Sequence, residues 1–223
     1  MIPQSPTRVL ITAGPTHEAI DTVRYLANRS SGRMGISLAE AAAKRGCATT
    51  LLLGPTHLEP PKSSRVTTLR FRTTADLQQL LTQLWPAHDL LIMAAAVADY
   101  RPIREPNPQD EKLQRTHEPL TLHLEPTPDL LAELAGETRS DQNVVGFALE
   151  PPSRLMESAR RKLARKSLDA IVANPLETMD AETVSATLIL RDETVIPAPV
   201  GTEKGEFADW LMDQLAAQRM LAS

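Results

Sequence analysis

The chain has 223 residues, 42% of them hydrophobic and 23% charged, with a formal net charge of -4. Length and apolar content suffice for one domain with a real core, and the acidic balance excludes broad, sequence-independent nucleic-acid binding, which depends on clustered Lys and Arg. Cys47 is the only cysteine, so an intrachain disulfide is excluded. No apolar run reaches the ~18 residues of a membrane span, and the N-terminal MIPQSPTR has no signal-peptide core. A cytoplasmic protein is expected, with neither nucleic acid nor membrane as partner.

In chain order, Arg8–Thr12 (RVLIT) reads as a strand stopped by Ala13-Gly14-Pro15-Thr16. Gly35–Arg45 has helical spacing and closes on Gly46. Strands are expected at Ala48–Leu53 and Val66–Phe71, a helix at Thr74–Leu84, and a uniformly apolar buried strand at Asp89–Ala94. Arg101–Pro119 is polar and holds Pro102, Pro106, Pro108 and Pro119, so a long mobile loop is expected there. A short strand at Leu120–Leu124, a helix from Pro128-Asp129, a strand at Asn143–Ala148, a basic helix at Arg154–Ser167 and a strand at Asp169–Ala173 follow. Thr187–Leu190 and Thr194–Ile196 flank Arg191-Asp192-Glu193 as a hairpin, and a last helix runs from Glu203 to about Ala217. This alternation predicts an α/β fold: a doubly wound, mostly parallel, Rossmann-like sheet with a mobile flap and a small C-terminal hairpin.

In such a sheet ligands bind beyond the carboxyl ends of the strands. The residues there are Ala13–Thr16, Ala95–Tyr100, Ala148–Glu150 and Asn174-Pro175. Asn28-Arg29-Ser30-Ser31-Gly32-Arg33-Met34-Gly35 opens the first good helix. Its free backbone N–H groups suit an anion, while Ser30 or Ser31 serves equally as an N-cap. Lys162 and Lys166 share a face of the basic helix and could meet one phosphate, although such a run also suits a solvated face. Lys112, on the loop, is placed either to neutralise phosphate charge or to face solvent. There is no G-x-G-x-x-G, no P-loop, no zinc-ligand spacing and no G-x-S-x-G. The five histidines (17, 57, 88, 117 and 123) are scattered and read mostly as surface residues; Cys47 reads as a small, buried, inert thiol.

The run Val9–Gly35 (VLITAGPTHEAIDTVRYLANRSSGRMG) resembles the opening of phosphopantothenate–cysteine ligases. The later segments AAAVADYR (94–101), EKL (111–113), PTPDLL (126–131), VVGFALE (144–150) and RKLARKSLDAIVAN (161–174) match in order. The resemblance spans nearly the whole chain and implies a single ligase domain over 1–223, with a flap at about 101–119 and a dimerisation hairpin at about 184–197. It implies joining of 4'-phosphopantothenate to L-cysteine through an acyl-cytidylate formed from CTP, with magnesium on the triphosphate, in a homodimer. Asn28 is matched to the residue that handles the acyl-nucleotide and Lys112 to the flap lysine. Gly14, Ser31, Ala95, Asp99, Thr127, Pro128, Asp129, Leu130, Phe147, Lys162 and Lys166 are matched to nucleotide contacts, and no protein metal ligand is implied.

Three positions depart from the family pattern. Thr127 stands where asparagine is usual, Lys112-Leu113-Gln114-Arg115 replaces a lysine-rich run, and Leu149-Glu150-Pro151 differs from Ala-Glu-Thr. Two other readings follow from the residues: a non-catalytic nucleotide-binding relative, and an NAD(P)-dependent reductase, which the missing glycine fingerprint and Tyr-x-x-x-Lys pair disfavour. Many relatives are fused to a flavin-dependent decarboxylase; the MIPQSPTR start leads to the expectation of a stand-alone synthetase.

Overall fold

The computed structural model describes residues 6–103, 112–115, 117–178 and 183–221. Its elements are β1 (Arg8–Ala13), β2 (His17–Ala19), β3 (Tyr25–Ala27), α1 (Arg33–Lys44), β4 (Ala48–Leu53), β5 (Val66–Arg70), α2 (Thr74–Leu84), β6 (Leu90–Met93), β7 (Tyr100–Pro102), β8 (Leu124–Pro126), α3 (Leu130–Ala135), β9 (Asn143–Glu150), α4 (Pro152–Arg165), β10 (Ala170–Pro175), β11 (Thr183–Val184), β12 (Thr187–Leu190), β13 (Val195–Pro197), β14 (Thr202–Glu203) and α5 (Lys204–Ala217).

Eight strands form the main sheet in the order β13-β12-β10-β9-β6-β1-β4-β5. From β10 to β5 every neighbouring pair is parallel; β12 and β13 add antiparallel at one edge. The strand order reverses at β1 and β6, the switch point where a doubly wound sheet opens a crevice. The expected Rossmann-like architecture is therefore present.

Alternation along each buried strand divides the core into two layers. Val9 and Ile11 of β1 join α1 and α5, through Leu38, Ala42, Phe207 and Leu211, on one face. Leu10 joins α2, α3 and α4, through Leu77, Leu81, Leu134 and Leu163, on the other. Helix α2 begins on a capping box in which the Thr73 hydroxyl accepts from Asp76 N and the Asp76 carboxylate accepts from Thr73 N, a device worth ~1 kcal/mol. Cys47 is buried, and desolvation pushes its thiol pKa up, in keeping with an inert core residue.

Asp89 joins the starts of β1 and β6, accepting from Arg8 N at 2.8 Å and Arg8 Nε at 3.1 Å. The hydrogen bond from the Arg8 side chain is the main cause holding its carboxyl below the usual range. A lowered folded pKa adds stability above the unfolded value of about 3.9, and that stability is lost as pH falls through the folded value. Asp89→Asn is accordingly expected to lower the Tm at neutral pH and to cost progressively less in acid, as read by thermal unfolding across pH.

Two expectations need correction, the strand at Leu120–Leu124 and the start of the loop read at Arg101–Pro119. Residues 120–123 form no strand, because the alternating apolar side chains meet no sheet face: Leu120 and Leu122 are exposed. Only Leu124 enters a strand, β8. That strand pairs antiparallel with β7, whose Arg101 and Pro102 fall in the segment read as loop; of the remainder, residues 103, 112–115 and 117–119 carry no strand or helix, and residues 104–111 and 116 lie outside the described residues. The histidines lie mostly at the surface as expected; His88 is the buried exception, its Nδ1 at 2.7 Å from Leu84 O and its Nε2 at 2.9 Å from Thr50 Oγ1. The expected C-terminal hairpin is present as β12 and β13, and it extends the main sheet. Strand β12 lies inside that sheet with Leu188 and Ile189 fully buried, and β13 forms the edge.

Candidate active site

Residues 14–32 connect β1 to α1 through an inserted hairpin instead of a tight glycine turn. Gly14 turns at φ +82, where a side chain would be strained, and a Cβ on Gly32 would come within 3.3 Å of the Gly14 backbone. Strands β2 and β3 pair antiparallel, with the His17 and Tyr25 rings stacked at 3.7 Å. The chain then passes through Asn28–Ser31 to α1, whose N-cap is Gly32 and not either serine. Ser30 and Ser31 instead accept from the N–H groups of Gly32 and Arg33, each at 3.4 Å. Without a side-chain cap or an acidic residue in its first turn, the α1 N-terminus carries positive potential.

The loop after β6 is fixed by two buried hydroxyls of the first segment. Thr12 Oγ1 accepts from Ala95 N at 3.0 Å, and Thr16 Oγ1 from Ala98 N at 2.9 Å. The Thr16 hydroxyl lies 3.3 Å from that of Thr74, whose N and Oγ1 both donate at 2.7 Å to buried Glu18. The Asn28 amide nitrogen donates to Val97 O at 2.8 Å, drawing the two loops together. Thr127, the substituted position, donates from its N to Asp99 O at 3.0 Å and from its hydroxyl to Ala98 O. That hydroxyl is therefore committed to shaping the loop.

These segments surround a cleft of about 650 Å³ at the switch point. Of the residues singled out from sequence, Asn28, Ala95, Asp99, Thr127, Pro128, Asp129, Leu130, Phe147, Lys162 and Lys166 all line it. Ser31 lines an adjoining pocket of about 200 Å³ that shares Ala95 and Phe147. Gly14 lines neither cavity; its close packing against Gly32 and Gly54 gives it a backbone role behind the wall. Lys112 is exposed and is not part of either lining.

Each cleft lysine meets a carboxylate. Lys166 Nζ donates to Asp129 Oδ1 at 2.7 Å, and Arg165 to Asp129 Oδ2 at 3.3 Å. Asp129 also caps α3 through Ala132 N, which fixes this acid at the rim. Lys162 Nζ donates to Glu150 Oε1 at 2.8 Å, and this bond is the main cause holding the Glu150 carboxyl below its usual range.

The sequence reading passed over four features. Arg29 lines both cavities, and Arg165 joins the cleft cations; neither position differs in spacing from an ordinary surface arginine. Asn174, noted only as following a strand, lines the smaller pocket, and its buried Oδ1 has no hydrogen-bond partner. Asp21 and Arg24 grip the chain beside Lys112: Leu113 N donates to Asp21 Oδ2 at 3.1 Å, and Arg24 Nη2 donates to Leu113 O at 2.7 Å. Desolvation works to raise the Asp21 pKa, but the N–H groups of Arg24, Val23 and Leu113 and the Arg24 side chain hold it far below the usual range.

A model of the DNA/pantothenate metabolism flavoprotein C-terminal domain matches residues 5–218. The chain is 40% identical over 210 residues to a cysteine/cysteine sulfinic acid decarboxylase from an unidentified prokaryote, covering 92% of this chain and 57% of that protein. It is 39% identical over 194 residues to the coenzyme A biosynthesis bifunctional protein CoaBC of Bacillus subtilis (strain 168), covering 85% and 46% respectively. The chain thus spans about half the length of the curated relatives it matches. The crystal structure of the C-terminal domain of a coenzyme A biosynthesis bifunctional protein CoaBC is similar at a TM-score of 0.78 and 35% identity, over 96% of this chain and 95% of that one.

Proposed function

The chain belongs to the family of DNA/pantothenate metabolism flavoprotein C-terminal domains, and on that premise we propose that it is a cytoplasmic phosphopantothenate–cysteine ligase acting in coenzyme A biosynthesis. The observation that carries this reading is the meeting of Asn28, Asp99, Lys162 and Lys166, from distant stretches of chain, in one cleft at the switch point. A carboxylate is a poor acyl donor until its oxygen becomes a good leaving group. The 4'-phosphopantothenate carboxylate would attack the α-phosphorus of CTP, expelling pyrophosphate and leaving an acyl-cytidylate. The cysteine amine would then attack the acyl carbon, form the amide, lose a proton and expel CMP.

Lys162, Lys166, Arg165 and the α1 N-terminus supply the positive potential such anions need. The orphaned Asn174 Oδ1 calls for a ligand N–H or O–H in the smaller pocket. In this reading magnesium would be carried by the triphosphate itself and would offset its charge; among the described residues no group of three or more His, Cys, Asp or Glu could hold a metal. Among the described residues no helix is long and apolar enough to cross a membrane. Assembly as a homodimer belongs to the same proposal, with the β13 edge as part of the contact. Sedimentation as a monomer at working concentration would count against it.

The test is pyrophosphate release with 4'-phosphopantothenate and magnesium, comparing CTP with ATP, with and without cysteine. Cysteine-dependent turnover with CTP is expected; turnover with ATP alone keeps the reaction and overturns the nucleotide; a folded chain that binds CTP without release is a non-catalytic relative. Lys112→Gln is expected to cut the rate on the order of 100-fold with the Tm unchanged, since Lys112 is exposed. Wild-type kinetics would reduce Lys112 to a surface residue.

A further inference from the structure

Lys162 faces the cleft, but what fixes its head group lies outside the lining. Its ammonium is 2.8 Å from Glu150 Oε1, and the same oxygen accepts from the Ser158 hydroxyl at 2.9 Å. Glu150 is the last residue of β9; Ser158 and Lys162 stand four apart on one face of α4, the first of them 4% exposed. Ser158 is itself 3.5 Å from the Arg161 guanidinium. A lysine head group rides on a flexible four-carbon stem and is imprecise as an anion ligand unless something restrains it. The strand end supplies the restraint, and the buried serine keeps the carboxylate from swinging away.

We infer that Glu150, steadied by Ser158, is a positioning residue that sets the Lys162 ammonium at one point on the cleft wall and thereby tightens the hold on a polyphosphate. The inference rests on the nucleotide reading given above. It makes a prediction opposite in sign to simple electrostatics: a negative charge beside the cleft repels an anion, so removing it would tighten binding if Glu150 did nothing but neutralise Lys162.

The experiment is calorimetric titration of the full chain with CTP and magnesium. Lys162→Ala is expected to weaken binding about tenfold, and Glu150→Ala about fivefold. Glu150→Gln keeps a carbonyl acceptor for both donors and should stay within about twofold of the parent. In a Lys162→Ala background, Glu150→Ala should weaken binding no further. Binding by Glu150→Ala that equals or exceeds the parent, while Lys162→Ala is weakened, overturns the inference and leaves the nucleotide reading standing. Unchanged binding by Lys162→Ala overturns the inference along with the lysine's place in that reading, and absence of CTP binding by the parent chain removes both. If Glu150→Ala does not fold, Ser158→Ala carries the test: about a two- to threefold weakening, absent in the Lys162→Ala background, is expected, and unchanged affinity overturns the inference.

Discussion

Asn28→Asp is expected to retain nucleotide-dependent pyrophosphate release while slowing amide formation on the order of 100-fold, the usual cost of losing one donor at a developing oxyanion. In the native chain the Asn28 amide nitrogen donates to Val97 O at 2.8 Å, which leaves its second N–H available to the cleft. Aspartate supplies neither donor. Its carboxylate would face the Val97 carbonyl oxygen with no proton between them and would turn away, removing the tether between the two loops. Any part of it that stayed would oppose the negative charge growing on the acyl oxygen. A single-turnover assay that follows pyrophosphate and amide separately distinguishes the two steps, with the Tm measured alongside. Amide formation at the parent rate would exclude Asn28 from that role.

Gly35→Ala should be strongly destabilising although it adds a single methyl group. A Cβ there would lie 2.4 Å from Ala13 Cβ and 2.9 Å from Thr12 O, at the crossing of α1 over β1. Alanine improves helix propensity by ~1 kcal/mol, but overpacking of a well-filled core costs roughly 1–3 kcal/mol and occasionally more. Because backbone as well as side chain must shift, the clash wins, and a net loss of about 2 kcal/mol corresponds to a Tm lower by roughly 4–8 °C. Gly46→Ala is the control: its φ of +84 makes a side chain strained, yet nothing lies within 4 Å of the added atom. It should cost only about 1–2 kcal/mol. Equal thermal stability of Gly35→Ala and the parent would show that α1 can lift from the sheet without penalty. If α1 does lift, its N-terminus leaves the smaller pocket, so nucleotide affinity should fall with stability.

The parallel core was legible because its strands are apolar runs bounded by glycine and proline, and because α2 has a clear period: Ala48–Leu53 and Thr74–Leu84 were read with the bounds they have. The carboxyl ends of those strands then located the cleft, and ordered motifs named ten of its lining residues. What escaped shares a physical reason. Strands β2, β3, β7 and β8 are three residues each, too short for alternation to register, and β2 buries a glutamate whose partner Thr74 is 56 positions away. Nothing in the sequence singled out His88 as the buried histidine, because its partner Thr50 belongs to another strand. The Leu120–Leu124 run alternated convincingly, but alternation predicts a strand only where a face exists to cover it. Long-range pairing was unreadable from one sequence, and that includes the Glu150–Lys162 contact around the β9–α4 turn.

The interior place of β1 also bears on how the molecule is made. Of the main-sheet strands β1 is synthesised first, and it ends inside the sheet with β4 on one side and β6 on the other. Its neighbour β6 is aligned with it across about eighty positions of chain, Val9 opposite Leu90. At roughly 5–20 residues per second of synthesis, Lys166 follows Asn28 by about 7 to 28 seconds. Throughout that interval the nascent chain carries the α1 end of the pocket without its lysine wall, so a growing chain has no complete cleft with which to sequester nucleotide until α4 has emerged and docked.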